Sequence, residues 1–434
     1  MSKTKRSVSR RSFLKTSVAA ASAFAAPSIV PNRVLGQEAP SNRIVLGFIG
    51  CGKQSKHLLR AFMRERGTQV VSLCDVDQLK LERDLNIAQE YYGEQPTGSR
   101  DIQTTHDYRE LLARDDIGAV VISTPDHWHG LHVIHSAEAG KDIYCEKPLA
   151  HNINEGKAMV QAVRRHNRVF QTGSMQRSDS KFRHACELVR NGYIGEVRHV
   201  AVNIGGPPKP CDLPELPVPD YLDWQMWLGP APQRPFHSEL SPHLSNDVFP
   251  HWRDYREFGG GGMTDWGAHH FDIAQWGLGM DGSGPVQVIP PDGREVQHLT
   301  YVYENGVSMS RTSHYEGLEV NGILFVGSHG KVMVNRSYYK TWPDDLLTHP
   351  MSPTETHLYK SENHYADFLQ AVRARKTPIC DVETGHSTVV VCLMGNIAYE
   401  LGRPLEFDQT KQRFVNDAEA NDLLGRPMRD GWRI

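Results

Sequence analysis

The feature that most constrains this chain is a glycine turn set between a short apolar run and an amphipathic helix. Residues 44–49 (IVLGFI) are apolar throughout and of strand length, as a strand buried on both faces requires. Gly50-Cys51-Gly52 follows, and Leu58, Leu59 and Phe62 then recur at helical spacing. The unit repeats: apolar runs at 69–74, 119–123, 142–145 and 168–172 alternate with helical segments. Such alternation dictates right-handed βαβ crossovers, and so a doubly wound parallel sheet in an α/β chain. At 434 residues the chain exceeds one average domain, and a second is expected.

Sheets of this kind bind ligands beyond the carboxyl ends of their strands. Gly50 allows the tight first turn, and Gly52 lets backbone N–H groups approach a pyrophosphate at the helix N-terminus. Ser55 stands where G-x-G-x-x-G carries its third glycine. Asp75 ends the second strand, where a carboxylate accepts from ribose hydroxyls and repels a 2′-phosphate, favouring NAD over NADP. A strand-end turn or helix cap is the other reading of Asp75. Thr124-Pro125-Asp126-His127-Trp128-His129 and Cys145-Glu146-Lys147-Pro148 follow two further strands. The acid and imidazoles from Asp126 to His132 could suggest a metal, but no matching spacing recurs and none is expected. Taken alone, Lys147 could equally be a surface lysine paired with Glu146.

These turns, with Gly259-Gly260-Gly261-Gly262-Met263-Thr264-Asp265-Trp266-Gly267-Ala268-His269-His270-Phe271-Asp272 downstream, resemble the Gfo/Idh/MocA oxidoreductase family over about residues 42–405. The resemblance implies a Rossmann domain and a C-terminal α/β domain with a large open, mainly antiparallel sheet. It implies NAD held by Gly50, Cys51, Gly52, Gln54, Asp75, Thr124, Pro125, His127, His129, Glu146, Lys147 and Gln176. Lys147, Asp265 and His269 would be catalytic, with Trp252, Arg253 and His269 on the substrate. A homo-oligomer, dimer or tetramer, would form through the sheet face. Read unaided, Asp265, His269, Asp272 and Trp276 share one face of a helix expected over 265–278. Zinc on Asp265 and His269 would lack a third ligand, and a structural histidine is the remaining alternative for His269.

Eleven of the 26 prolines fall between Pro207 and Pro250, among tryptophans and phenylalanines too numerous for a disordered linker. An ordered loop covering the site is expected, its tryptophans either stacking on a sugar or packing internally. Alternating runs at 296–303, 307–313, 322–326 and 331–334 predict antiparallel strands, with Asn305-Gly306 as a turn. Helices are expected over about 364–375 and 383–401. Ser9-Arg10-Arg11-Ser12-Phe13-Leu14-Lys15 before the apolar stretch 17–26 resembles a twin-arginine export signal. No cysteine follows it, so no membrane anchor is expected, and the location would be periplasmic. The expected division is 1–36 signal peptide, 37–175 NAD-binding domain, 176–405 substrate and oligomerisation domain, and 406–434 surface tail.

Hydrophobic residues at 39% and charged residues at 23% exclude a polytopic membrane protein or a mainly disordered chain. A net charge of 48 − 51 = −3 argues against a nucleic-acid partner. Seven cysteines without a CxxC exclude a disulfide scaffold and a cysteine zinc site. The expected function is NAD-dependent oxidation of a hydroxyl on a sugar, glycoside or polyol, with Lys147 and His269 on one substrate oxygen and Asp265 orienting them. An NAD-dependent glycosidase and a non-catalytic sugar-binding protein are the alternatives.

Overall fold

The computed structural model describes residues 43–94, 101–312, 315 and 317–434; the segment expected to be a signal peptide, with Arg10 and Arg11, lies outside them. The first half runs β1 (Ile44–Ile49), α1 (Ser55–Arg64), β2 (Thr68–Cys74), α2 (Gln78–Gly93), β3 (Gln103–Thr105), α3 (Tyr108–Leu112) and β4 (Ala119–Ile122). It continues with α4 (Asp126–Glu138), β5 (Asp142–Cys145), α5 (Ile153–Arg165) and β6 (Phe170–Thr172). The six strands pair in parallel in the order β3-β2-β1-β4-β5-β6. Sheet growth reverses between β1 and β4, opening the crevice at which a doubly wound sheet takes its ligand. Ile49 pairs with both Cys74 and Ile122, and Ile122 with Cys145. Four strands therefore end level, and Gly50, Asp75, Ser123 and Glu146 step off them in one row. Strand β3 reads QTT and has no apolar run by which periodicity could announce it.

The second half holds α6 (Ser180–Arg190), β7 (Val197–Asn203), α7 (Trp224–Leu228), α8 (Gly261–Asp265), α9 (Gly267–Leu278), β8 (Gln287–Ile289) and β9 (Leu299–Val302). After these come β10 (Ser308–Arg311), β11 (Gly322–Gly327), β12 (Lys331–Asn335), β13 (Tyr339–Trp342), α10 (His364–Ala374) and α11 (Val382–Leu401). Strands β14 (Leu405–Asp408) and β15 (Arg413–Phe414) and helix α12 (Ala418–Asp422) end the chain. Its sheet, in the order β13-β12-β11-β7-β10-β9-β8-β14-β15, is antiparallel except where β7 meets β10. Strand alternation sorts its two faces. Val200, Val202, Ile323 and Phe325 join Phe271 and Ile273 of α9 in the main core. Ala201, Leu324 and Met333 gather on the opposite face.

Two expectations about organisation change. Residues 406–434 are not a surface tail: β14 pairs with β8 because Leu405 and Phe407 alternate with charged residues and bury. Farther on, Arg426 pairs with buried Glu155 at 3.1 Å, and Trp432 sets its edge against Trp128. Helix α10, grouped with the second domain by position, packs on the first. There Phe368 meets Phe62 and Tyr144 edge-on, and the Gln171 amide donates to the His364 carbonyl. All seven cysteines are free.

Candidate active site

The turn after β1 is built for close approach. Gly50 has φ +92°, and a Cβ there would lie 2.8 Å from the Thr124 backbone nitrogen. At Gly52 a Cβ would meet nothing within 4 Å, so this part of the loop faces open space. Ser55 is buried at the third-glycine position and donates to Asp84 at 2.8 Å, which satisfies its hydroxyl inside the α1–α2 contact. Burial pushes Asp84 up to about 6 against the pull of Arg83. Arg83 also donates to the Cys51 and Gly52 carbonyls, tying the loop to α2. Asp75 accepts from the backbone N–H groups of Cys51 and Asp77. Burial raises its pKa, with Lys80 opposing.

Gly50, Gly52, Gln54, Asp75, Thr124 and Pro125 line one wall of a cleft enclosing about 1050 Å³, open solvent included. The proline-rich segment supplies the opposite wall with Leu240, Ser241, Asp247 and Trp252. An extended dinucleotide fits this shape: unhindered backbone at Gly52 for its phosphates, and the Asp75 carboxylate at a strand end for a ribose.

His127 and His129 are absent from that wall. The His127 ring is buried between Trp227 and Phe258, its Nε2 3.0 Å from the Trp227 carbonyl. Burial, then Arg426, pushes it down to about 3. His129 is buried between the carbonyls of Pro148 (2.8 Å) and Thr124 (3.0 Å), bracing one turn against the other. Neither ring reaches the cleft, because the first turn of α4 points both into the packing beneath it.

Lys147 organises the second part of the site. Its Nζ lies 2.6 Å from Asp265 Oδ1 and 3.0 Å from the Asp265 carbonyl. Arg253 approaches the same carboxylate at 3.7 Å while stacked on Trp252 at 4.2 Å. Burial would raise the Asp265 pKa, but Lys147 and Arg253 outweigh it and hold the carboxyl below its usual range. His269 is buried, with no partner for Nδ1 among the described residues. Burial drives it well below its ordinary value, and the charges of Lys147 and Arg336 add to this, so its imidazole is neutral. Glu146 is buried with its Oε1 3.4 Å from the Gln54 amide; burial raises its pKa against Lys147. Lys147, Asp265 and His269 lie outside the cleft wall, and Arg253 joins the two regions.

The other predicted residues fall differently. Trp252 is buried in a cluster with Trp224, Trp227 and Phe258, and it and Trp227 show only an edge of that cluster to the cleft. Gln176 is buried away from the cleft wall, its Oε1 accepting from Arg336 at 3.2 Å. The helix expected over 265–278 is two helices broken at Trp266. Its glycine run packs backbone to backbone: a Cβ on Gly262 would lie 2.5 Å from the Gly205 Cα. Asp272 turns from the site into a buried pair with Arg177 at 2.8 Å. Sequence reasoning gives no role to Trp266 and misses Arg336, whose guanidinium carbon lies 4.9 Å from the centroid of the Trp266 ring; Arg336 belongs to no motif.

The fold defines a class: a doubly wound parallel sheet with a cleft at its strand ends, followed by an α/β domain with a large, mainly antiparallel sheet. The oxidoreductase-family NAD-binding Rossmann fold matches residues 44–174, and the oxidoreductase-family C-terminal alpha/beta domain matches residues 209–434. The chain belongs to the Gfo/Idh/MocA oxidoreductase family. Glycosyl hydrolase family 109 protein 2 of Shewanella sp. (strain ANA-3) is 31% identical over 207 residues, 44% of each chain. The Glycosyl hydrolase family 109 protein of Shewanella baltica (strain OS155 / ATCC BAA-1091) is 30% identical over 213 residues, 44% of this chain and 45% of its own. The chain thus spans under half the length of these relatives. WlbA dehydrogenase from Bordetella pertussis, solved with NADH and UDP-GlcNAcA, shares the fold at TM-score 0.59 and 18% identity, covering 84% of this chain and 98% of its own. Aldose-aldose oxidoreductase from Caulobacter crescentus, solved with glycerol, does so at TM-score 0.57 and 18% identity, covering 84% and 100%.

Proposed function

We propose that the protein oxidises a hydroxyl on a sugar, glycoside or polyol, using NAD rather than NADP. The observation that carries this is the 2.6 Å Lys147–Asp265 pair beside a buried, neutral His269, next to the cleft. When bound, the nicotinamide supplies the hydride acceptor. His269 takes the hydroxyl proton: a neutral imidazole is ready to accept it, whereas an imidazolium is not. Lys147 donates a hydrogen bond to the same oxygen and offsets its developing negative charge. Asp265 aims the ammonium through its 2.6 Å ion pair. Asp75 places negative charge where a 2′-phosphate would lie.

Single-turnover reduction of bound NAD by a sugar panel tests the assignment. Lys147→Ala and His269→Ala are each expected to slow reduction about 10²–10⁴-fold with NAD still bound. The double variant is expected to be little worse than the poorer single, since both groups act on one oxygen. Normal reduction in a folded Lys147→Ala protein would remove the mechanism.

The glycosyl hydrolase names of the curated relatives favour a second reading, a redox-neutral glycosidase that oxidises, eliminates the aglycone and returns the hydride. Aglycone release without net NADH would select it; net NADH from a plain glycoside would select the dehydrogenase. We further propose export by the twin-arginine route to the periplasm. A dimer or tetramer is proposed as well, which light scattering of the purified protein would weigh.

A further inference from the structure

The part of the proline-rich segment that walls the cleft is a loop closed at its base. There the His251 N–H donates to the Glu239 carbonyl at 3.0 Å. Both ends are anchored, Leu240 and Trp252 lying in the cluster with Trp227 and Phe258. A loop with its ends pinned together can swing as a unit. Its tip is exposed and is held to the first domain by polar contacts. Asp247, in the left-handed region at φ +40°, turns its carboxylate to Lys56 and its carbonyl to Lys53. Lys80 donates to Ser241 at 2.8 Å. Such contacts open at little cost. Phe249 is 49% exposed, and two cations lie over its ring, Lys53 at 5.0 Å and Arg253 at 5.3 Å. Arg253 in turn reaches Asp265 Oδ1 at 3.7 Å, the oxygen that Lys147 takes at 2.6 Å. One run of contacts thus joins the glycine turn to the Lys147–Asp265 pair. It passes through a side chain whose place depends on the loop being shut.

We infer that residues 240–250 are a lid that closes over the bound nucleotide, and that Phe249 is a positioning residue that passes this closure to the chemistry by seating Arg253 against Asp265. The inference rests on the NAD-dependent reading above. A nucleotide touching both the glycine turn and the loop gains contacts only when the lid is down, so it favours the closed state. With the lid raised, Arg253 keeps Trp252 but loses Phe249, and its hold on the carboxylate that aims Lys147 slackens. The catalytic pair is therefore set only once the nucleotide is in place.

Coupling between two sites acts in both directions, which supplies a test that needs no turnover. Release of NADH from the loaded protein is followed by stopped-flow fluorescence. Asp265 lines no part of the cleft, yet Asp265→Asn is expected to quicken release about two- to fivefold. Phe249→Ala is expected to quicken it by a similar factor at an unchanged melting temperature, and Phe249→Trp to keep the parent rate. In the Phe249→Ala background, Asp265→Asn is expected to add nothing. Arg253→Gln cuts the same contact and takes its place if Asp265→Asn lowers the melting temperature. In single turnover with sugar saturating, Phe249→Ala is expected to slow reduction of bound NAD about two- to fivefold, a loss in kcat rather than in KM. The lid is overturned if Asp265→Asn leaves release unchanged, if it acts equally with and without the Phe249 ring, or if Phe249→Ala leaves reduction at the parent rate. Non-additive release in a protein whose NAD no sugar reduces would keep the lid and overturn the dehydrogenase reading. Sugar-driven reduction with additive release would do the reverse.

Discussion

Asp75 illustrates how one side chain serves both the fold and the proposed chemistry. Its carboxylate holds the Cys51 N–H of the glycine turn, so Asp75→Ala would disturb the loop as well as the charge. Asp75→Asn keeps the size and an acceptor, and it is expected to raise NADP affinity relative to NAD by roughly an order of magnitude. An unchanged ratio in titrations with the two nucleotides would dismiss the ribose role. His270 gives a second test, through pH. It is wholly buried, both ring nitrogens lack partners among the described residues, and burial with the Arg336 charge pushes it down to about 3. Its folded pKa is thus depressed below an unfolded value near 6.5. Stability is complete above about pH 6.5 and lost as pH falls toward 3, because only the unfolded chain takes the proton. At pH 5 this costs about 2 kcal/mol. His270→Phe keeps a ring against Trp266 and is expected to shrink the pH 7-to-5 loss of unfolding free energy by about that much. The same pH dependence in both proteins, measured by urea unfolding, would contradict this. Legibility at this scale follows the strands: Gly50, Asp75 and Lys147 are placed by strand ends alone. His127 and His129 share the same turn, yet the direction of a side chain in the first turn of α4 depends on Trp227, Phe258 and the Pro148 carbonyl, all remote in sequence.

The proline-rich segment acts at the scale of the element. It walls the cleft opposite β1 and β4 and is fastened to α1 at its tip, where Asp247 pairs with Lys56 and accepts from Lys53. Lys53 also lies 5.0 Å from the Phe249 ring. These contacts are exposed, so they add little to global stability. They do set how easily the wall lifts from the cleft. Asp247→Ala is expected to leave the melting temperature nearly unchanged while raising the NAD dissociation rate a few-fold, measured by fluorescence of the bound nucleotide. A rate equal to that of the parent would show that the segment does not retain the cofactor. The order of this segment is legible from its aromatic content, because Trp224, Trp227 and Phe236 bury too much apolar surface to stay solvated. The break at Trp266 is not legible, because a helical period continues through it; nor is the backbone approach of Gly261 and Gly262 to residues 205–208 just before it.

For the whole molecule, an exported enzyme would carry its cofactor out only if it folds and binds it first, which is the condition twin-arginine transport meets. Arg10→Lys together with Arg11→Lys is expected to hold the protein in the cytoplasm on cell fractionation; normal periplasmic levels would rule the route out. Folding as a unit also explains why the chain ignores the domain limits its order suggests. Helix α10 returns to cover Phe62 and Tyr144, and Arg426 returns to neutralise Glu155 beneath α4. The amino-acid sequence by itself determines the βαβ alternation, the glycine turn and the acid and lysine at strand ends. Each follows from periodicity and backbone preference among near neighbours, which hold wherever the segment lies. Tertiary structure alone decides that Asp265 meets Lys147 while Asp272 meets Arg177, and that the Arg336 guanidinium lies over the Trp266 ring. Those pairings join segments roughly one hundred residues apart, and their geometry exists only once the two sheets pack on a shared core.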